Sequence, residues 1–330
     1  MKARKKISVI GAGTIGTALG NILSENEAGE VILFSIEEKV VRSVNEDHVN
    51  SRYFPGYHLH PDLKAATDVS RLNGSAVIFL AIPSVVLLDY LRSIQANIPK
   101  TAILVNLAKG FGYKDETVVD CLRKLFPNPV CTLKGPSFAK EIINRIPTGF
   151  TLGYSGAEVA AELSLLFKGS TVFLDFSEDI RGVEVLSILK NIYAIVLGIV
   201  DAQFNSPNLR FLILTRAFRE MMNIMIYFGG KEETIFNYCG YGDFTLTALN
   251  DLSRNRTLGL LIGKGFFTEH VSHELVLEGK TAATVFHEKL SRETNVEERF
   301  PIINELYRIF TEKYDISSFV SKVLEMGVRD

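Results

Sequence analysis

Two rhythms of apolar residues divide this chain. Up to about residue 179, short β-branched runs alternate with stretches of helical spacing. Ser8–Ile10, Val31–Phe34, Ala76–Ala81, Ala102–Asn106, Val130–Leu133, Thr148–Leu152 and a run near Val172–Leu174 read as strands. That alternation predicts a mostly parallel sheet with helices on both faces. Ligands of such sheets gather at the carboxyl ends of the strands. Here those ends lead into Gly11–Gly16, Ser35–Glu38, Ile82-Pro83-Ser84, Leu107–Gly110 and Lys134–Ser137. From Arg181 onward long helical patterns dominate and the β-rich runs disappear. The boundary is expected near Phe176–Arg181, which gives an α/β domain over 1–179 and an all-helical domain over 180–330.

Composition narrows the field. A chain of 330 residues exceeds one ordinary core, which agrees with two domains, and its 47% hydrophobic share is that of a well-packed globular protein. A formal net charge of −2 gives no electrostatic reason to expect nucleic acid or a membrane surface as a partner. Cys121, Cys131 and Cys239 are scattered and form neither a disulfide framework nor a metal knuckle, so a reducing compartment, the cytoplasm, is expected. The basic start Met1–Lys6 reads as solvation of the first strand rather than as a secretory leader. No membrane insertion is expected: Ile192–Val200 is too short, and Phe211–Tyr227 carries Arg216, Arg219 and Glu220. His58-Leu59-His60 is the nearest approach to a metal pattern, and no metal is expected.

The first chemistry-bearing motif is Gly11-Ala12-Gly13-Thr14-Ile15-Gly16, set between a strand and a helix. Gly11 suits a tight turn, Gly13 a close approach to a pyrophosphate, and Gly16 close helix–strand packing. The helix start offers free N–H groups to the anion. Dinucleotide binding follows. The acidic residue that would hold the ribose hydroxyls is ambiguous, because Glu37-Glu38 come slightly late after the second strand.

Lys190 stands inside Val183–Ile199, a helical pattern that is apolar almost all round. Such a helix is usually buried, and a lysine in its middle needs a partner or a function. Burial would move its pKa toward neutrality, which suits a proton donor; the alternative is a lysine that reaches out to solvent. Asp243, after Gly240-Tyr241-Gly242, is either a helix N-cap or a carboxylate that holds Lys190 or a substrate hydroxyl. Ser253 reads as the N-cap of a helix through Leu260, with Arg254 and Arg256 in its first turn, where the helix dipole disfavours cations. A bound anion would account for them, and so would a solvated basic turn. Lys109-Gly110 and Gly135-Pro136-Ser137 follow strands where a sheet ligand would lie. Each also reads as an ordinary loop, with Gly135 or Ser137 starting a helix.

Taken together and in order, these residues resemble the NAD(P)-dependent glycerol-3-phosphate dehydrogenase family, bacterial type, over nearly the whole chain. The resemblance rests on the glycine turn, the stretch from Asn50 to Pro61 around Tyr53-Phe54-Pro55-Gly56, Ala81-Ile82-Pro83-Ser84, Lys109-Gly110 and Gly135–Glu141. It is densest in Lys190-Asn191, Asp201, Asn208, Thr215-Arg216, Glu220-Met221, Gly240-x-Gly242-Asp243 and Ser253-Arg254-Asn255-Arg256, and extends through Glu278-Gly279 and Pro301-Ile302. It implies a Rossmann-like sheet followed by a helical domain like that of 6-phosphogluconate dehydrogenase. It also implies interconversion of dihydroxyacetone phosphate and sn-glycerol 3-phosphate with NAD or NADP, a role in phospholipid synthesis, and a homodimer.

Carried over by resemblance, Lys190 is the general acid/base and Asp243 its neighbour at the substrate. Lys109, Gly135, Ser137, Ser253, Arg254 and Asn255 are substrate contacts. Gly11, Gly13, Thr14, Ile15, Gly16, Ala139, Arg254, Val276 and Glu278 are cofactor contacts. The chain departs from the bacterial pattern at Thr14-Ile15, at Ile36 (where arginine is expected), at Ala202, at Phe211-Leu212-Ile213, at Ala217 and at Asn237-Tyr238-Cys239. The added bulk near Tyr238 keeps open a dehydrogenase of the same architecture acting on another small phosphorylated ketone. A non-enzymatic nicotinamide-binding redox sensor is the remaining alternative, against which Lys190 with Asp243 argues.

Overall fold

The structure, a computed structural model, describes residues 5–266 and 273–325. The chain divides into two compact units, Met1–Glu184 and Val185–Asp330.

The first unit runs β1 (Lys6–Ile10), α1 (Thr14–Glu25), β2 (Glu30–Phe34), α2 (Glu38–Glu46), β3 (Lys64–Ala66), β4 (Val77–Leu80), α3 (Ser84–Ser93), β5 (Ile103–Asn106), α4 (Val118–Leu125), β6 (Val130–Lys134), α5 (Ala139–Ile143), β7 (Thr148–Gly153), α6 (Ala157–Phe167) and β8 (Val172–Ser177). The strands form one eight-stranded sheet in the order β3-β2-β1-β4-β5-β6-β7-β8. Neighbours are parallel, except that β7 runs antiparallel to β6. All seven expected strands are present. The eighth, β3, is three residues long, too short to carry a period, and is held by pairing with β2.

Alternation along the strands builds a core on each face. Ile7, Val9, Val77 and Phe79 point into one cluster with Leu19, Leu23, Val44, Ile142 and Leu163 from α1, α2, α5 and α6. Ile10, Ile78 and Leu80 point into the other, against Leu87, Leu91, Val118 and Leu122 from α3 and α4. These side chains are almost wholly removed from water, and burial of each contributes roughly 2 kcal/mol. The inner strands can therefore be near-continuous apolar runs, as strands covered on both faces require, while the edge strand β8 leaves Phe173 and Phe176 exposed. The helix after β6 starts at Ala139, with Phe138 before it and no capping side chain, rather than at Gly135 or Ser137. Gly135 is held in the preceding loop against β7, where a Cβ would lie 2.4 Å from the Gly149 oxygen, and the Ser137 hydroxyl turns back to the Gly135 carbonyl instead of capping a helix.

After β8 the regular elements among the described residues are all helical. α7 (Ile180–Phe204) begins in the first unit and continues into the second. It is followed by α8 (Pro207–Tyr227), α9 (Asp243–Leu249), α10 (Arg254–Gly263), α11 (His273–Leu290), α12 (Val296–Arg299), α13 (Pro301–Thr311) and α14 (Phe319–Glu325). α7 extends beyond the expected Val183–Ile199. By length and composition it could cross a membrane, but 94% of its most apolar window is buried inside the protein. It is apolar all round because neighbours cover it all round.

Close approach of α7 and α10 depends on glycine. A Cβ on Gly259 would lie 2.0 Å from the Ile195 carbonyl oxygen, and one on Gly198 would lie 2.3 Å from that of Arg256. This contact fixes where the start of α10 stands against α7.

Candidate active site

The candidate residues form separate clusters in the two units. In the first unit the chain leaves β1 at Gly11, whose φ of +111° is costly for any residue with a Cβ. A side chain there would also strike the Ala81 carbonyl oxygen, at 2.5 Å from the Cβ. Gly16 lies over Gly11, and a Cβ on it would be 2.0 Å from the Gly11 oxygen. Gly13 is the opposite case: a Cβ there would meet nothing within 4 Å. Gly13 is the residue before α1, and no side chain caps that helix and no acidic residue stands in its first turn. Open space beside uncapped N–H groups fits a pyrophosphate.

Asn50 fixes this turn from behind, donating to the Ala12 carbonyl at 3.0 Å and to Thr17 Oγ1 at 2.8 Å. Thr14 is exposed, and Ile15 packs partly against the core. Past β2, Ile36 is 85% exposed, while Glu37 precedes α2 and pairs with Arg52. Both carboxylates of the ambiguous Glu37-Glu38 pair therefore lie at the start of α2.

At the ends of β5 and β6, Lys109 and Ser137 converge on one carbonyl. Lys109 Nζ donates to the Gly135 oxygen at 3.3 Å, and Ser137 Oγ donates to it at 2.9 Å. Gly135 is required there, because a Cβ would sit 2.4 Å from the Gly149 oxygen of β7. Ala139 opens α5, two residues beyond Ser137.

In the second unit Lys190 is 5% exposed and Asp243 is 1% exposed. Lys190 Nζ lies 2.6 Å from Asp243 Oδ1 and donates to Thr247 Oγ1 at 2.8 Å. Asp243 is the first residue of α9, directly after a π-helical turn at Tyr238–Gly242, and not its N-cap. Gly240 lets that turn fold back, since a Cβ on it would lie 2.0 Å from the Ile235 oxygen. Thr247, one turn along α9, donates to the Asp243 carbonyl at 2.6 Å. Asp243 supplies the counter-charge that a buried ammonium needs.

Ser253 caps α10, its Oγ accepting from the Arg256 N–H at 3.3 Å. The two arginines of this turn separate. Arg256 is buried and engaged with Asp201 and, at 3.2 Å, with Asp251. Arg254 is exposed, with no ion pair among the described residues. An anion at this turn would therefore meet Arg254 alone of the two arginines, with partly exposed Asn255 beside it. Asp201 also pairs with Arg210 at 2.6 Å.

Comparison with known proteins shows the family. The family model described as NAD-dependent glycerol-3-phosphate dehydrogenase N-terminus matches residues 6–160, and the corresponding C-terminus model matches residues 179–321. A protein of Methanothermobacter thermautotrophicus named glycerol-3-phosphate dehydrogenase, NAD(P)+, is 34% identical over 97% of each chain. The chain belongs to the NAD-dependent glycerol-3-phosphate dehydrogenase family. A Clostridium botulinum protein of the same name is 32% identical over 94% of each chain. The crystal structure of a glycerol-3-phosphate dehydrogenase from Coxiella burnetii matches with a TM-score of 0.87 at 27% identity, covering 98% of this chain and 99% of that one. The Rossmann-like sheet followed by a helical region is thus the architecture of this dehydrogenase family.

Three features of this family member escaped the sequence. Asn50 and Thr247 are partners of motif residues, and Thr247 was accessible as the position four after Asp243 on one helix face. The third is a buried charge cluster. Lys134 and Glu184, 0% and 1% exposed in their side chains, pair at 3.1 Å. Glu184 also accepts from Asn106 Nδ2 at 2.9 Å and from Thr132 Oγ1. A charged residue at the end of the apolar run Val130–Leu133, and another between Val183 and Val185, were the available signals. Val276 and Glu278 fall in α11 at positions whose side chains lie outside the described residues.

Proposed function

We infer that this chain interconverts dihydroxyacetone phosphate and sn-glycerol 3-phosphate with NAD(P)(H). Residues 1–179 act as the dinucleotide-binding domain and 180–330 as the helical catalytic domain. The observation that carries this reading is the sealed Lys190–Asp243 pair in a chain of this family. A reduced nicotinamide, when bound, supplies the hydride to the ketone carbon. Lys190 Nζ gives its proton to the oxygen that becomes the hydroxyl, and takes it back in the reverse direction. Asp243 holds that ammonium, and Thr247 fixes its direction.

Gly11, Gly13, Thr14, Ile15 and Gly16 hold the coenzyme's pyrophosphate, with Ala139, Arg254, Val276 and Glu278 as its further contacts. Ser253, Arg254 and Asn255 take the substrate phosphate at the start of α10, where N–H groups and a guanidinium suit an anion. Lys109, Gly135 and Ser137 complete the substrate contacts. Fixing the phosphate orients the carbonyl, which lowers the entropic part of the barrier. Supply of glycerol 3-phosphate for phospholipid synthesis, a cytoplasmic location and a homodimer complete this reading. The three free, buried cysteines suit a reducing compartment.

A second reading has one observation in its favour. Phe218 stacks on Phe244, the residue after Asp243, with ring centroids 6.5 Å apart, and meets the exposed Tyr241 edge-on at 5.6 Å. This aromatic cluster beside Asp243 would suit another small phosphorylated ketone. A panel of triose, tetrose and pentose ketone phosphates, each assayed with both reduced nicotinamides, separates the readings. Highest kcat/KM with dihydroxyacetone phosphate supports the first. A clear preference for a larger ketone phosphate replaces it with the second.

A further inference from the structure

Lys134 ends β6 with its side chain wholly out of solvent. Its Nζ donates to the Asn106 carbonyl at 3.3 Å and to the Ala108 carbonyl, and pairs with Glu184 at 3.1 Å. Asn106 returns to the same segment, its Oδ1 accepting from the Ala108 N–H at 3.0 Å. Backbone groups of residues 106 and 108 are thus pinned at three points, immediately before Lys109. Lys109 in turn donates to the carbonyl of Gly135, the residue after Lys134. The loop that presents Lys109 is therefore clamped from β6 by one buried ammonium.

Stability alone is a poor reason for such a cluster. A buried ion pair is often no better for folding than two apolar side chains of the same volume, while its directional donors do define one backbone path. A lysine offers several N–H donors in different directions, which suits two carbonyls and a carboxylate at once.

We propose that Lys134, with Glu184 as its counter-ion, is a positioning residue: it sets the Asn106–Gly110 loop so that Lys109 stands in register for the phosphorylated substrate. The proposal rests on the reading of Lys109 as a substrate contact.

The test compares wild type, Lys134→Met, Lys134→Met/Glu184→Gln, Lys109→Ala and the triple variant in steady-state kinetics, with a thermal melt of each. Lys134→Met leaves Glu184 buried without its cation and is the less stable; the double variant removes both charges. In the folded double variant KM for dihydroxyacetone phosphate should rise about tenfold while kcat stays within about threefold and nicotinamide KM is unchanged, since uniform binding is what is lost. A purely structural role would lower the active fraction, and so kcat, without moving KM. In the Lys109→Ala background the same two changes should alter KM by less than about twofold, because residues acting through one another are not additive.

An unchanged KM in the folded double variant overturns the proposal, as does full multiplication of the effects in the triple variant. A double variant that fails to fold assigns Lys134 to stability and also overturns it. If Lys109→Ala alone leaves KM unchanged, the substrate-contact reading fails and takes the proposal with it. A raised KM for Lys109→Ala beside a normal KM for the double variant sinks the positioning role only.

Discussion

Lys190 Nζ and Asp243 Oδ1 lie 2.6 Å apart, and both side chains are nearly sealed from solvent. They come from α7 and α9, and the tight turn at Gly240 brings the second to the first. Asp243→Asn keeps an acceptor but removes the counter-charge. We expect kcat to fall on the order of 100-fold, with nicotinamide affinity little changed. Thr247→Val should cost roughly 30-fold in kcat, the worth of one hydrogen bond to a charged group, about 2 kcal/mol. Steady-state kinetics with a separate nicotinamide titration check both.

The two arginines of α10 should respond differently. Arg254→Ala removes an exposed guanidinium assigned to the substrate phosphate, and should raise KM by about 30-fold, on the order of 2 kcal/mol, with an unchanged melt. Arg256→Ala leaves Asp201 buried beside Arg210 alone, and should cost roughly 3 kcal/mol of stability. A KM that Arg254→Ala does not move would remove the phosphate from this turn.

The glycine turn offers a similar contrast. Gly13→Val adds its side chain to open space and should leave the melt near wild type while abolishing nicotinamide binding. Gly16→Ala places a Cβ against the Gly11 oxygen, so α1 must shift, and the melt itself should fall by several degrees. Fluorescence titration of reduced nicotinamide with paired melts decides. Retained binding in Gly13→Val would place the coenzyme elsewhere.

Glu220 gives a pH dependence. Its carboxylate accepts from the Ile302 and Ile303 N–H groups at the start of α13 and from Tyr193. Burial nevertheless pushes it up from an ordinary 4.5 to about 7, against those three hydrogen bonds that favour the charge. Between these values the native state binds more protons than the unfolded chain, so stability falls as pH rises and the loss is complete above about 7. The expected loss is roughly 3 kcal/mol from this group. Glu220→Gln should flatten that part of the stability–pH profile in denaturant titrations at pH 5 and 8. An unaltered slope would contradict the assignment.

Much of this was legible in the sequence, for local reasons. Six strands, β1, β2 and β4–β7, showed themselves because strands covered on both faces are near-continuous apolar runs, while the edge strand β8, with Phe173 and Phe176 exposed, showed itself only through the short run Val172–Leu174. Gly11 and Gly16 showed themselves because close backbone approach leaves no other residue type there, and Gly13 through its spacing between them. Ser253 as a cap and Lys190 as a buried charge follow from helix periodicity. What stayed hidden was pairing. β3 exists through its neighbour β2. Arg256 looked like an anion ligand until Asp201, 55 positions away, was seen to hold it. Lys134 and Glu184 each broke an apolar pattern, but only the fold brings them together.

The central claim is that the Lys190 ammonium moves the proton. Its most direct test is Lys190→Ala, followed by the loss of reduced-nicotinamide absorbance with dihydroxyacetone phosphate and by a nicotinamide titration of the same sample. Turnover should fall by about a thousandfold or more while nicotinamide affinity stays within about twofold. Turnover close to wild type, or loss of nicotinamide binding in its place, would contradict the account.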